Sequence, residues 1–213
     1  TDKRINYFSF IGSSKVGWYL RSKLSPGTRC ALEHGGAAPV IVEPDANFEE
    51  MVPSLLKGAF YHAGQVCVSV QRVFAHESIC KKLAKEIASG AKKLKVGDPM
   101  DASTEVGPLI LPREVDRVEE WVNEAVEAGG ELLCGGKRIS GTCFEPTVLF
   151  NPPATVRVST SEIFGPVVCV YSYKNRDEAI KIANSLDLHF QAAVYTKNID
   201  IALECVKKLN ATA

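Results

Sequence analysis

Apolar positions fall along this chain in two alternating rhythms. Short apolar-rich segments at residues 5–11, 30–33, 39–43, 144–150, 167–173 and 191–195 predict strands, residues 68–75 alternate enough for another, and paired glycines at 129–130 and 135–136 bracket one more. Between the runs, apolar residues return every three or four positions. Val16, Leu20 and Leu24 form one stripe; Met51, Leu55, Ala59 and Ala63 a second; Ile79, Leu83, Ile87 and Ala91 a third; Val115, Val118, Val122 and Ala125 a fourth. That spacing gathers side chains on one face of a helix. Further helices are predicted over 177–184 and 200–209. Asn47 with Glu50 has the form of a capping box, and Pro112 suits the first position of a helix. Pro53 lies inside the second helix and is expected to disturb its first turn, because proline lacks the N–H that a helix interior uses.

Strands alternating with helices predict an α/β fold with a largely parallel sheet flanked by helices. A chain of 213 residues can bury a substantial core. Its 25 basic side chains balance 25 acidic ones, so no net field favours nucleic acid or an acidic membrane, and neither partner is expected. No apolar stretch approaches the roughly 18 residues of a membrane span, and residues 1–6 lack the apolar centre of a signal peptide. Seven scattered cysteines (Cys30, Cys67, Cys80, Cys134, Cys143, Cys169 and Cys205) include no C-x-x-C pair. That pattern is expected of a reducing, cytoplasmic compartment rather than of a disulfide framework, and the histidines add no cluster that would hold zinc or another metal.

Reactive chemistry concentrates around Cys67. It follows Gly64 and Gln65 where a helical stripe gives way to a strand, a place that presents a thiol to a cleft. Cysteine reacts as the thiolate, which a helix N-terminus, a cation or a neighbouring base favours. Glu33, beside the Gly35–Gly36 turn, is a candidate base, since a carboxylate in an apolar setting takes protons more readily. Thiol plus carboxylate is the minimum kit for covalent capture of a carbonyl followed by hydrolysis. Each alone also fits a plainer role, Cys67 as a buried small hydrophobe and Glu33 as a solvated acid at a strand end. Gly12 and Ser13 stand at a strand-to-helix turn whose N–H groups suit a phosphate, though an ordinary tight turn has the same pattern. Glu162 and Phe164, on a stretch pinned by Gly165 and Pro166, suit ribose hydroxyls and a nicotinamide ring. A surface glutamate and a core phenylalanine fit that stretch too.

In this order the segments resemble the aldehyde dehydrogenase superfamily. Residues 10–17 resemble its F-T-G-S-x-x-x-G, 32–36 its L-E-L-G-G, 64–67 its G-Q-x-C and 161–166 its E-E-I-F-G-P. Residues 95–99, 106–108 and 145–148 are also family-like, so the resemblance covers essentially the whole chain.

The resemblance implies that Cys67 attacks an aldehyde to give a thiohemiacetal, that hydride passes to NAD or NADP, and that water activated by Glu33 hydrolyses the thioester. It implies Gly12 and Ser13 at the cofactor pyrophosphate, Glu162 at the nicotinamide ribose and Phe164 beside the ring. It also implies that residues 1–35 end a Rossmann-like cofactor-binding domain and that residues 36–213 form the catalytic domain. Most of the cofactor domain and the oligomerisation strand would lie outside the chain, in a parent that is a homodimer or homotetramer. The 213 residues alone are therefore expected to bind NAD(P)+ poorly and to turn over slowly or not at all. Two departures stand out. His34 replaces the usual leucine and is expected to alter cofactor contacts and Glu33, and Lys15 replaces a common acid and is expected in solvent. A CoA-acylating aldehyde dehydrogenase ranks second because such relatives generally lack the glutamate. A non-catalytic use of the fold is the third reading. Residues 65–72 lean toward branches that handle small hydroxy-, phospho- or phosphono-aldehydes.

Overall fold

In a computed structural model, which describes residues 2–186 and 190–212, the strands divide between two sheets. Strand β1 (Tyr7–Gly12), helix α1 (Ser14–Arg21) and strand β2 (Arg29–His34) form a βαβ unit whose two strands pair in parallel. The register sets Ile11 opposite Glu33 and Gly12 opposite His34. The chain then turns through Gly35 and Gly36 into β3 (Ala38–Val42) and the larger sheet.

From β3 the chain runs through α2 (Phe48–Phe60), a tight turn at Tyr61–Gly64, β4 (Val70–His76) and α3 (Glu77–Ala91). It continues with α4 (Pro112–Glu127), β5 (Glu131–Cys134), β6 (Thr147–Phe150), the four-residue α5 (Arg157–Thr160) and β7 (Val167–Tyr173). Helix α6 (Arg176–Ala183), β8 (Ala193–Tyr195) and α7 (Ile199–Lys208) complete it. The strands of this six-stranded sheet lie in the order β5-β6-β7-β4-β3-β8, and only the β5–β6 pair is antiparallel.

Both faces of the sheet are covered, which is why β3 and β7 are nearly continuous apolar runs rather than alternating ones. Val40, Val42, Val73 and Ala75 face a core built with Met51 and Leu55 of α2, Leu83 and Ile87 of α3, and Val115, Val118 and Val122 of α4. Successive strand residues point to opposite faces, so Ile41 and Phe74 pack instead with Ala179, Ile180 and Cys205 under α6 and α7. Each fully buried Leu or Ile of these clusters contributes about 2 kcal/mol. The largely parallel sheet flanked by helices is the α/β fold that the apolar rhythm predicts.

Local signals agree in part. Asn47 caps α2 by accepting the Glu49 N–H at 3.2 Å, and Pro112 opens α4. Two expectations need correction. Helix α2 runs through Pro53 from Phe48 to Phe60. The opening strand is not buried: Tyr7, Ser9 and Ile11 are exposed, Ile11 to 77%. Tyr7, Ser9 and Ile11 point to one face of the two-stranded sheet, the face that Glu33 shares in the pairing register, whereas α1 packs on the opposite face against His34. Helix α1 touches the sheet mainly through the buried Gly17 and ends before Leu24, leaving Val16 exposed. No helix among the described residues is long and apolar enough to cross a membrane.

Candidate active site

The turn after α2 is built from left-handed backbone. His62, Ala63 and Gly64 take φ of 51°, 54° and 69° in succession, which costs the two non-glycine residues roughly 1–2 kcal/mol each. Gly64 meets this demand without a side chain, and its Cα lies against the Gly165 carbonyl. An added Cβ would come within 2.1 Å of that oxygen. Gln65 then clamps the turn to a distant loop: its Nε2 donates to the carbonyls of His62 and Pro108, each at 3.1 Å, and its Oε1 accepts the Ile110 N–H at 2.9 Å. The Ser69 N–H donates to the Val66 carbonyl at 2.9 Å, closing a tight turn with Cys67 at its first corner. The Cys67 thiol is half-buried there.

Glu33 reaches the same place from the other sheet. Residues that follow one another in a strand face opposite sides. On β2, Glu33 faces the cleft, while His34 turns to α1, with its ring edge-on to Trp18 at 5.5 Å and its Nε2 against Gly17. His34 thus faces away from the cleft, which corrects the expectation that it alters cofactor contacts directly.

Glu162 and Phe164 follow the short α5. One Glu162 oxygen accepts the Gly36 N–H at 2.9 Å. Burial pushes the Glu162 carboxyl above the usual carboxylate range, and the Gly36 N–H and the Arg117 charge only partly offset it. Phe164 sits in left-handed backbone at φ 47°, which turns its ring, 41% exposed, outward.

These parts meet in one cleft of about 1270 Å³. Gly12, Ser13, Glu33, Cys67, Glu162 and Phe164 all line it, with Gln65 and Val66 beside the thiol and Lys15 at its edge. Helix α4 supplies a wall that the apolar pattern concealed: Glu114, Arg117 and Trp121. The Arg117 guanidinium donates to Glu114 at 2.9 Å and to the Ile163 carbonyl at 2.7 Å, and it stacks over Trp121 at 4.8 Å. Their spacing of three and four residues was the available signal, on the stripe adjoining Val115, Val118 and Val122.

Arg72 was also missed. It is fully buried, with no acidic partner among the described residues, and donates to the carbonyls of Ala37, Ile182 and Ala183. Burial lowers its pKa to about 10, which leaves it charged at neutral pH. It thereby ties the turn that follows Glu33 to the last carbonyls of α6, beside Ser185 and Leu186 of the cleft.

The donor and acceptor set suits the nicotinamide half of a dinucleotide. Ser13 caps α1 without a side-chain cap bond, and the first turn of a helix leaves its N–H groups without intrahelical partners. The half-buried Glu162 carboxylate offers acceptors for hydroxyls, and Phe164 offers a ring face. No group of three or more His, Cys, Asp or Glu with metal-binding geometry occurs among the described residues.

The aldehyde dehydrogenase family model matches residues 1–213. The chain is 38% identical over 205 residues to 3-sulfolactaldehyde dehydrogenase of Priestia aryabhattai, covering 96% of this chain and 43% of that protein. It superposes with a TM-score of 0.95 and 34% identity on aldehyde dehydrogenase 21 from Physcomitrella patens in complex with the reaction product succinate, covering 100% of this chain and 44% of that one. With glyceraldehyde-3-phosphate dehydrogenase of Methanocaldococcus jannaschii complexed with NADP, the TM-score is 0.94 at 38% identity, covering 100% of this chain and 46% of that one. The chain thus spans less than half the length of the relatives it matches. A match along its entire length, at this level of identity, means that the chain belongs to the aldehyde dehydrogenase family.

Proposed function

We propose that this chain carries the nucleophile, the base and the nicotinamide-facing residues of an NAD(P)+-dependent aldehyde dehydrogenase. The observation that supports the reading is the shared cleft: Cys67 and Glu33 come from separate segments yet line one cavity with Glu162 and Phe164. Cys67 attacks as thiolate, its electron pair forming the C–S bond while the carbonyl pair becomes an oxyanion. Backbone N–H groups of the tight turn stabilise that charge. When bound, NAD(P)+ supplies the hydride acceptor that makes a thioester accessible. Glu33 then takes a proton from water as the water attacks the thioester carbon, and the C–S bond breaks to return the thiolate. The first turn of α1, with Gly12 and Ser13, holds the pyrophosphate, Glu162 the ribose hydroxyls, and Phe164 keeps water from the ring. All of these act on the part that NAD and NADP share.

The similarities to a 3-sulfolactaldehyde dehydrogenase and a glyceraldehyde-3-phosphate dehydrogenase support a small hydroxyaldehyde bearing an anionic group as substrate. The residues proposed for the cofactor serve its pyrophosphate and nicotinamide half alone, so the 213 residues by themselves should turn over slowly or not at all.

The test uses the full-length protein, both cofactors and a panel of small hydroxyaldehydes, with the intact protein mass followed. Cys67→Ala should abolish oxidation and leave no adduct. Glu33→Gln should accumulate an acyl group on Cys67, because thioester formation survives while hydrolysis slows. Full turnover by Cys67→Ala would overturn the reading, and an acyl-CoA product formed only with added CoA would favour the acylating alternative.

A further inference from the structure

We propose that Gln71 is a positioning residue that fixes Glu162 and Phe164 for the cofactor; this rests on the functional reading above. Gln71 lies on β4, a few residues beyond Cys67, and is buried to 4% exposure. Its carboxamide is fully engaged with one distant segment. Nε2 donates to the Val158 carbonyl at 3.1 Å and to the Ser161 carbonyl at 2.7 Å, and Oε1 accepts the Ile163 N–H at 2.7 Å.

These bonds bracket Glu162, taking the carbonyl on one side of it and the N–H on the other. The bracketed segment has little regular structure of its own. Helix α5 ends at Thr160, Ser161 is extended, and Phe164 takes positive φ. Further ties are Arg117 on the Ile163 carbonyl, Gly36 on the Glu162 carboxylate and the Ser161 N–H on the Arg157 carbonyl. Only a carboxamide of this length offers two N–H donors and an acceptor together; glutamate offers acceptors alone and leucine neither. One strand thus sets both the thiol turn and the acid, so Gln71 carries the spacing between the reacting sulfur and the cofactor's ribose.

The experiment compares Gln71→Leu and Gln71→Glu with the wild-type full-length protein. Three quantities are read: the dissociation constants of NAD+ and NADP+ by calorimetry, amide exchange in the peptide containing Ile163, and the rate at which iodoacetamide alkylates Cys67. Loss of the bracket in Gln71→Leu should weaken cofactor binding about tenfold or more and speed exchange at Ile163, with Cys67 alkylation unchanged. Gln71→Glu, which keeps the acceptor for Ile163 but sets a buried acceptor oxygen against the Val158 and Ser161 carbonyls, should weaken binding at least as much as Gln71→Leu. A folded Gln71→Leu that binds cofactor as tightly as the wild type overturns the proposal. If that variant does not fold, wild-type binding by Gln71→Glu overturns it instead. A wild-type protein that oxidises no aldehyde refutes the functional reading alone, because the binding titration still decides the role of Gln71.

Discussion

Gly35 lies so close to Glu162 that a Cβ on the glycine would come within 2.0 Å of the carboxylate oxygen Oε1. That oxygen also accepts the N–H of Gly36, the next residue, at 2.9 Å. The turn that leads out of β2 just after Glu33 is therefore the seat of an acid 126 residues further along the chain than Gly36. Glu33, the base proposed above, and Glu162, the acid proposed for the ribose, are thus held by one piece of backbone.

This contact gives a direct prediction for Gly35→Ala. The obstructing atom is the end of a side chain, so Glu162 swings away and the fold survives, at a cost of about 1 kcal/mol for the lost hydrogen bond. The misplaced carboxylate should weaken cofactor binding about tenfold. Gly107→Ala is the control, because nothing lies within 4 Å of its added Cβ. Calorimetric titration with NAD+ and NADP+ decides the matter, and unaltered affinity in Gly35→Ala sinks the argument.

Glu162 should also make cofactor binding depend on pH. Burial raises its pKa above the ordinary 4.5, so the protein protonates this carboxyl at a higher pH than an exposed glutamate. A protonated carboxyl accepts ribose hydroxyls poorly. Affinity should therefore fall with acidification through the raised value, before ordinary carboxylates titrate. Stability moves the opposite way. The unfolded chain ionises this group first as pH rises, so stability is lost between 4.5 and the raised folded value. In Glu162→Gln the binding profile should become flat over that interval, and a wild-type profile already flat there would contradict the assignment.

The apolar runs at 39–43 and 167–173 revealed buried parallel strands because a sheet covered on both faces leaves no room for alternation, whereas 68–75 was legible from its alternating positions. The ordered motifs around Gly12, Glu33, Cys67 and Glu162 revealed residues that line one cleft, since each carries its own local signature. What the sequence concealed is non-local. Ile11 looks like a core residue, but its exposure is decided by what covers its face of β1, and that face, shared with Glu33, opens into the cleft. Gln71 and Arg72 read as polar interruptions of a strand, and their partners lie 87 to 92 residues away for Gln71 and as far as 111 for Arg72. Glu114, Arg117 and Trp121 were hidden by the stronger apolar stripe next to them.

Gly64 should tolerate no side chain. Its φ of 69° carries a cost of roughly 1–2 kcal/mol for an L-residue, and the obstructing atom at 2.1 Å is the Gly165 backbone oxygen, which cannot rotate away. Gly64→Ala should therefore lower stability by about 3 kcal/mol in all, with overpacking added to strain, and should slow Cys67 alkylation as the turn shifts. Gly27→Ala isolates the conformational part, because Gly27 has φ of 86° but open space around its Cβ. Denaturant melts of the two variants should differ, Gly64→Ala being clearly the weaker; equal losses would show that the contact with Gly165 is unimportant.

The far side of the sheet is tied by a buried acid. Glu43 receives two hydrogen bonds from Arg176, at 2.8 and 3.1 Å, and one from the Tyr173 hydroxyl at 2.6 Å. Arg176 also reaches Glu204 of α7 at 3.0 Å, so one guanidinium joins the end of β3 to α6 and α7. Burial pushes the Glu43 carboxyl up, but Arg176 and Tyr173 together hold it below the ordinary 4.5. The unfolded chain therefore takes up this proton first as pH falls. The stabilisation is complete above 4.5 and is lost as pH drops through the lowered folded value. Arg176→Ala leaves the carboxylate buried without its cation and should cost about 3–5 kcal/mol at neutral pH. Adding Glu43→Gln removes the stranded charge and should recover part of that loss, with the acid-side slope reduced in the double variant. Melts of the wild type, the two single variants and the double variant from neutral pH to pH 3 measure the coupling, and strictly additive losses would rule out this ion pair as the tie between the sheet and its outer helices.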